Sequence, residues 1–283
     1  MLRSMYSGIS GMKNFQTKLD VIGNNIANVN TFGYKKGRVT FKDLVSQTIS
    51  GASGPANNIG GVNPKQVGLG STLATIDTVH TQGSIQTTGR PLDLSISGDG
   101  YFVLAPKTTG TNNFNSLDKS FTRAGNFYLD KEGYLVNQDG LYLKAYAVGT
   151  NGNIDKNYFS DIKIPISAQS FSISDKGEIQ YVDDTGALKL AGQIIIAKFD
   201  NSEGLQKVGQ NLFKESANSG MADPNAPKEG GAGAIVAGSL EMSNVDLSEE
   251  FTEMITAQRG FQANTRIITT SDEILQELVN LKR

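Results

Sequence analysis

The two ends of this 283-residue chain carry matching apolar periods, and no other feature restricts its possible folds so strongly. Met5, Met12, Leu19 and Ile26 recur every seven positions, with Phe15, Ile22 and Val29 as a second series beside them. The closing forty residues repeat the design: Leu247, Met254, Phe261, Ile268 and Leu275 in one series, Ile267, Ile274 and Leu281 in another, and Phe251 and Leu278 as further apolar positions of the same tail. Such spacing predicts helices over about Ser4 to Val29, with Ser4 as a candidate N-cap, and from Leu247 to the end. Asp246 followed by Glu249 reads as a capping box. Glu250 and Glu253 suit the positive end of the second helix dipole, and Lys282 and Arg283 the negative end.

Adjacent seven-residue series lie about 100° apart on a helix, so each terminal helix has an apolar face too wide for a single partner. Pairing the ends covers one stripe of each and leaves the other for a further surface. Gly8, Gly11, Gly23 and Gly260 interrupt these helices, each at a cost of about 1 kcal/mol against Ala. A chain tolerates that where backbones approach closely. The interface expected from the sequence therefore comprises Met5, Met12, Phe15, Leu19, Ile22, Ile26, Val29, Phe251, Met254, Phe261, Ile267, Ile268, Ile274, Leu275, Leu278 and Leu281.

The segment "NNIANVNTFGYK" at 24–35 closes the first helix with four asparagines, which compete with helical hydrogen bonding. Asn25, Asn28 and Asn30 are expected to end the helix and offer amides to backbone at the following turn. Gly33 would supply a backbone conformation that β-carbons disfavour.

Between the helices the chain reads as β structure. "LDLSISGDGYFVLA" alternates Leu92, Leu94 and Ile96 before a Gly98–Asp99–Gly100 turn, and further turn signals stand at Glu132–Gly133, Asp139–Gly140, Lys176–Gly177 and Thr185–Gly186. "GQIIIAKF" predicts a buried strand at Gly192 to Phe199. Two loose stretches, 39–73 and 218–234, are rich in Gly, Ser, Asn and Ala and read as linkers. The expected fold is α+β: a coiled-coil-like helical core from 1–30 and 245–283, an extended Gly/Ser/Asn-rich arm over 31–74, and a mainly antiparallel β domain over 75–244.

Composition excludes most chemistry. The chain has no Cys, no Trp and one histidine, His80, which stands in the alternating run "TIDTVHTQG" and reads as a half-exposed strand residue. No nucleophile–base pair, calcium loop or phosphate-binding glycine motif is present, so no enzyme activity, cofactor or metal is expected. A net charge of −2 offers nothing to nucleic acid, and the small cluster Lys35, Lys36, Arg38 and Lys42 reads as a solvated face or subunit contact. No apolar run is long enough to span a bilayer, and the N-terminus lacks the apolar core and cleavage site of a signal peptide.

"LDVIGNNIANVNTFGYK" (19–35), "TGRPLDLSISGDGYF" (88–102), "FTRAGNFYLDKEGYLVNQDG" (121–140) and the tail from Ser243 together resemble the bacterial flagellar rod and hook family. "GISGM", "IGNNIAN" and "LVNLK" favour the hook branch. The resemblance implies a subunit of a helical tube that joins rod to filament and transmits torque. It implies terminal helices in an inner tube and a β domain outside. Its partners would be copies of itself, other axial proteins (rod, hook–filament junction, hook cap) and the export apparatus, which would carry it out without a cleaved signal. Too few residues separate Ala145 from Gly192 for a full second outer β domain, which keeps the distal rod branch open as the alternative. A different class of reading, a β receptor for glycan or peptide on a helical dimerisation stalk, also fits the pattern.

Overall fold

The computed structural model describes residues 2–55, 60–107, 114, 118–149 and 154–281. The chain divides into two compact units, one of residues 1–27, 37–79 and 245–283, the other of 28–36 and 80–244. Lys282 and Arg283, assigned to the helix dipole above, lie outside the described residues.

The first unit is built on two helices, α1 (Leu2–Ala27) and α2 (Leu247–Leu281). Helix α1 starts two residues before Ser4, which therefore lies inside its first turn and does not cap it. It also stops before Val29. Helix α2 is capped by Asp246, whose carboxylate accepts the Ser248 N–H at 2.8 Å. The helices run antiparallel, and small residues set their closest approach. A β-carbon on Gly8 would stand 3.5 Å from Ile268, one on Gly11 3.0 Å from the Asn264 amide, and one on Gly260 2.6 Å from the Phe15 ring. Lys18 and Glu253 close the seam at 3.1 Å.

The sequence expectation of a loose arm over 31–74 fails for most of its length. Strand β1 (Gly37–Asp43) pairs antiparallel with β4 (Ser71–Thr78), and between them β2 (Ser46–Ser50) pairs with β3 (Lys65–Gly68). Composition misled because Gly and Ser mark the turns of a hairpin as readily as a linker. The β1–β4 pair lies on α1: Asn14 Nδ2 donates to Ser71 Oγ at 2.8 Å, and the Ser71 N–H to Ser10 Oγ at 3.4 Å.

The second unit is a large antiparallel sheet with smaller two-stranded pairs. Its centre runs Tyr101–Ala105, Tyr142–Val148 and Leu188–Ile194, joined by Ile196–Lys198. Both faces are buried along Tyr101–Ala105 and Leu143–Ala147 and at the end of Leu188–Ile194. Phe102 and Leu104 enter one apolar cluster with Ile194 and Ile196, while Tyr101 and Val103 enter the other with Ile195 and Ala197. The run "IIIA" is divided at Ile195 between Leu188–Ile194 and Ile196–Lys198, where a single strand was expected, and its residues alternate between the two clusters. The turn glycines 98, 100, 133, 140, 177 and 186 all adopt positive φ. The stretch 218–234, read as a linker, is instead packed against this sheet: Asp223–Asn225 pairs with Ile196–Lys198, and Ala222, Ala226 and Ala232 are buried.

Candidate functional site

In α1 and α2 the two apolar series meet different environments. Met254, Phe261, Ile268 and Leu275 are partly covered, as are Met5, Met12, Phe15, Leu19 and Ile26 on α1. Contacts at this seam include Phe15 against Gly260, Gly8 against Ile268, and Thr265 Oγ1 at 3.4 Å from Met12 Sδ. Ile22 is used up within the subunit, at 3 % exposure. By contrast Phe251, Ile267, Ile274, Leu278 and Leu281 stand exposed along α2, joined by Ile255 and Val279, which the periodicity did not single out. Val29 lies beyond the helix, partly buried in the second unit.

The asparagine segment divides its work. Asn25 lies in the last turn of α1 and is buried, and its amide makes a two-point pair with the backbone of one residue: Nδ2 donates to the Gly37 carbonyl and Oδ1 accepts the Gly37 N–H, both at 2.9 Å. The same Nδ2 donates to Glu250 Oε2 at 3.1 Å, which ties α1 to the first turn of α2. Asn28 builds the following turn, its carbonyl accepting the Thr31 N–H at 3.1 Å and its Oδ1 the Thr31 hydroxyl at 3.1 Å. Asn30 is exposed. Gly33 has φ +69, and a β-carbon there would lie 2.5 Å from the Ala124 nitrogen, so neither backbone angle nor space admits a side chain.

Sequence reasoning missed the centre of the second unit. Lys35, assigned above to a solvated face or subunit contact, is 2 % exposed. Its Nζ donates to Glu241 Oε1 at 2.6 Å and to the Thr81 carbonyl at 2.8 Å. Glu241, 1 % exposed, also accepts Arg123 Nε at 2.5 Å and the Gly83 N–H at 2.9 Å, while its carbonyl accepts the Gly33 N–H at 2.8 Å. The Arg123 guanidinium donates in addition to the carbonyls of Ile96, Gly98 and Gly100. One carboxylate thus ties together four segments remote in sequence. Burial draws the Lys35 ammonium below the ordinary lysine range although Glu241 opposes the shift. A second knot lies in the block at 88–102, where Asp93 accepts Arg90 Nη1 at 3.1 Å and the Thr88 hydroxyl at 2.7 Å, and Arg90 also reaches the Phe127 carbonyl.

His80 is not a strand residue. Its Nδ1 and the Tyr101 hydroxyl are 2.6 Å apart, the ring packs against Phe213, and Nε2 is buried without a hydrogen-bond partner among the described residues. Burial, then the nearby charges of Lys35, Lys207 and Arg123, push its pKa down to about 4. Among the described residues no cluster of acidic residues or histidine could hold a metal, and no helix is long and apolar enough to cross a membrane.

Three family models match the chain. "Flagella basal body rod protein" matches residues 5–35, "Flagellar hook protein FlgE/F/G D1 domain" residues 95–181, and "Flagellar basal body rod FlgEFG protein C-terminal" residues 236–281. Full-length relatives include the flagellar basal-body rod protein FlgG of Bacillus subtilis, 60% identical over 284 residues and covering 100% of both chains. FlgG of Caulobacter vibrioides is 36% identical over 285 residues, covering 99% of this chain and 100% of its own. The flagellar hook protein FlgE of Borreliella burgdorferi is 32% identical over an alignment of 450 residues that covers 100% of both.

Proposed function

Since the chain belongs to the flagellar basal-body rod and hook family, a group of structural proteins and not of enzymes, we propose that it is a subunit of the distal rod, polymerising with copies of itself along the flagellar axis. The observation that carries this reading is the end-to-end 60% identity with a rod protein of matching length. The hook reading favoured by the short motifs is weaker. The hook relative aligns over 450 positions against 283 residues here, so it carries sequence that this chain lacks. "GISGM" and "IGNNIAN" lie within the matched region 5–35, whose description names the basal-body rod.

In physical terms, α1 and α2 pack along one seam that uses the apolar positions of α1, and the exposed stripe of α2 awaits neighbouring subunits. Burying a side chain such as Ile267, Ile274 or Leu278 contributes ~1.5–3 kcal/mol, and a repeated head-to-tail contact that does not close on itself builds an open helical polymer. Under this proposal 1–30 and 245–283 form the inner tube with coiled-coil-like packing, and the β unit lies outside. Other axial proteins cap the two ends of the polymer, and the export apparatus delivers the chain. Complementation tests the reading. The chain should restore rod completion and motility to a Bacillus subtilis strain lacking its rod homologue and should not replace a missing hook protein. The reverse outcome would make it a hook subunit.

A further inference from the structure

Of the glycines inside the terminal helices, Gly8, Gly11 and Gly260 are accounted for by contacts at the α1–α2 seam, whereas a β-carbon on Gly23 would meet nothing within 4 Å. Glycine weakens a helix relative to alanine, so one that faces open space gains the isolated subunit nothing. The seam fixes what stands beside it. Phe15 meets Gly260 and Asn25 meets Glu250, which sets Gly23 level with the first turns of α2. Thr265 touches Met12 along one flank of the pair. At 100° per residue Gly23 returns to the Met12 flank after eleven positions, and Leu247 and Phe251 lie on the Thr265 flank at eighteen and fourteen positions. Gly23, Leu247 and Phe251 therefore form an exposed apolar shelf at one end of the helix pair, notched at the glycine.

The opposite end carries a matching surface. By the same register α1 begins about level with Ile274, so roughly two turns of α2 project past it, and Ile274, Leu278 and Leu281 stand exposed there on the flank opposite Thr265. Phe251 and Leu278 are 27 positions apart, about 40 Å along α2, so neither surface can cover the other within one subunit. Opposite flanks also prevent one partner from covering both, which requires a head-to-tail contact.

We propose that the projecting end of α2 in one copy docks on the Gly23, Leu247 and Phe251 shelf of the next copy, with a leucine seated in the glycine notch; the inference rests on the polymer-forming reading above. The area favours a second copy over a separate partner. Together these side chains expose on the order of 500 Å² of apolar surface, well under the ~1,200 Å² of a stable two-body complex, so the contact suits a place where every subunit repeats it alongside others. Charge agrees with this occupant: Asp20 is exposed one turn before Gly23, and the residues that follow Leu281 in the sequence are Lys282 and Arg283.

The chain has no cysteine, so introduced ones report without background. Leu247→Cys and Leu278→Cys proteins, assembled together and treated with a short bismaleimide, should yield a linked pair with one chain of each kind, identified by mass spectrometry of the joined peptides. Polymer that gives only links between like chains, or none, overturns this proposal and leaves the rod reading standing. Failure of the unaltered chain to polymerise overturns both. Gly23→Leu decides independently of the cysteines: the monomer should keep its melting temperature, while the concentration needed for assembly rises about tenfold as the notch is filled. The smaller Gly23→Ala should raise the melting temperature and still weaken assembly. Unchanged assembly of folded Gly23→Leu would refute the docking.

Discussion

Lys35 and Glu241, 206 positions apart, meet at 2.6 Å with both side chains withdrawn from solvent, and Arg123 shares the same carboxylate. The pair joins the end of the asparagine segment to the last strand before the C-terminal helix. Breaking it leaves two cations buried without compensation, so Glu241→Gln should destabilise the β unit by about 3–5 kcal/mol. Lys35→Met should cost less, because Arg123 still answers the carboxylate. Urea unfolding of the two variants gives the comparison, and equal costs would mean that the shared carboxylate is not the organising group.

The pH dependence follows from His80. Its folded pKa of about 4 lies below the ordinary value of 6.5, so between these limits the unfolded chain binds a proton that the native chain refuses. Stability from this group is complete above pH 6.5, falls by up to roughly 3 kcal/mol as the pH drops to 4, and changes no further below that. A His80→Gln variant should show a flatter urea midpoint across the same window. A parallel profile would assign the acid sensitivity to other groups.

The helix pair separates two glycines that look alike in sequence. Gly260→Ala places a methyl 2.6 Å from the Phe15 ring and should loosen the pair, whereas Gly8→Ala meets Ile268 at an ordinary 3.5 Å and gains about 1 kcal/mol of helix propensity. Thermal melts followed by circular dichroism should move in opposite directions.

Asn25→Asp would keep the acceptor for the Gly37 N–H but lose the donor to its carbonyl, and would set a carboxylate against Glu250. We expect about 2–4 kcal/mol of destabilisation at pH 7, partly relieved as the new pair takes up a proton in mild acid. Amide exchange at Gly37 across pH 4–7 reports the change directly.

Ile267→Ser with Ile274→Ser changes exposed positions, so the monomer's unfolding free energy should change by less than about 0.5 kcal/mol per site. Assembly should nonetheless fail, as judged by electron microscopy. Polymers of normal yield would remove these side chains from the proposed interface.

Periodicity and turn chemistry are local properties, and the chain displays both openly. Seven-residue spacing placed α1 and α2 to within a few residues, alternation and turn glycines marked the antiparallel β unit, and "IIIA" announced buried β structure though not its break at Ile195, because each signal depends only on which side of a helix or strand a residue occupies. The hairpins at 37–78 were hidden because exposed strands rich in Ser, Thr and Gly have the composition of a linker. The buried triad was hidden for a different reason. Nothing beside Lys35 in the chain distinguishes it from Lys36, and its partner Glu241, with the Arg123 that shares that carboxylate, is brought to it only when the unit folds. Burial of a charge is decided by what folds over it, so it belongs to the tertiary structure alone.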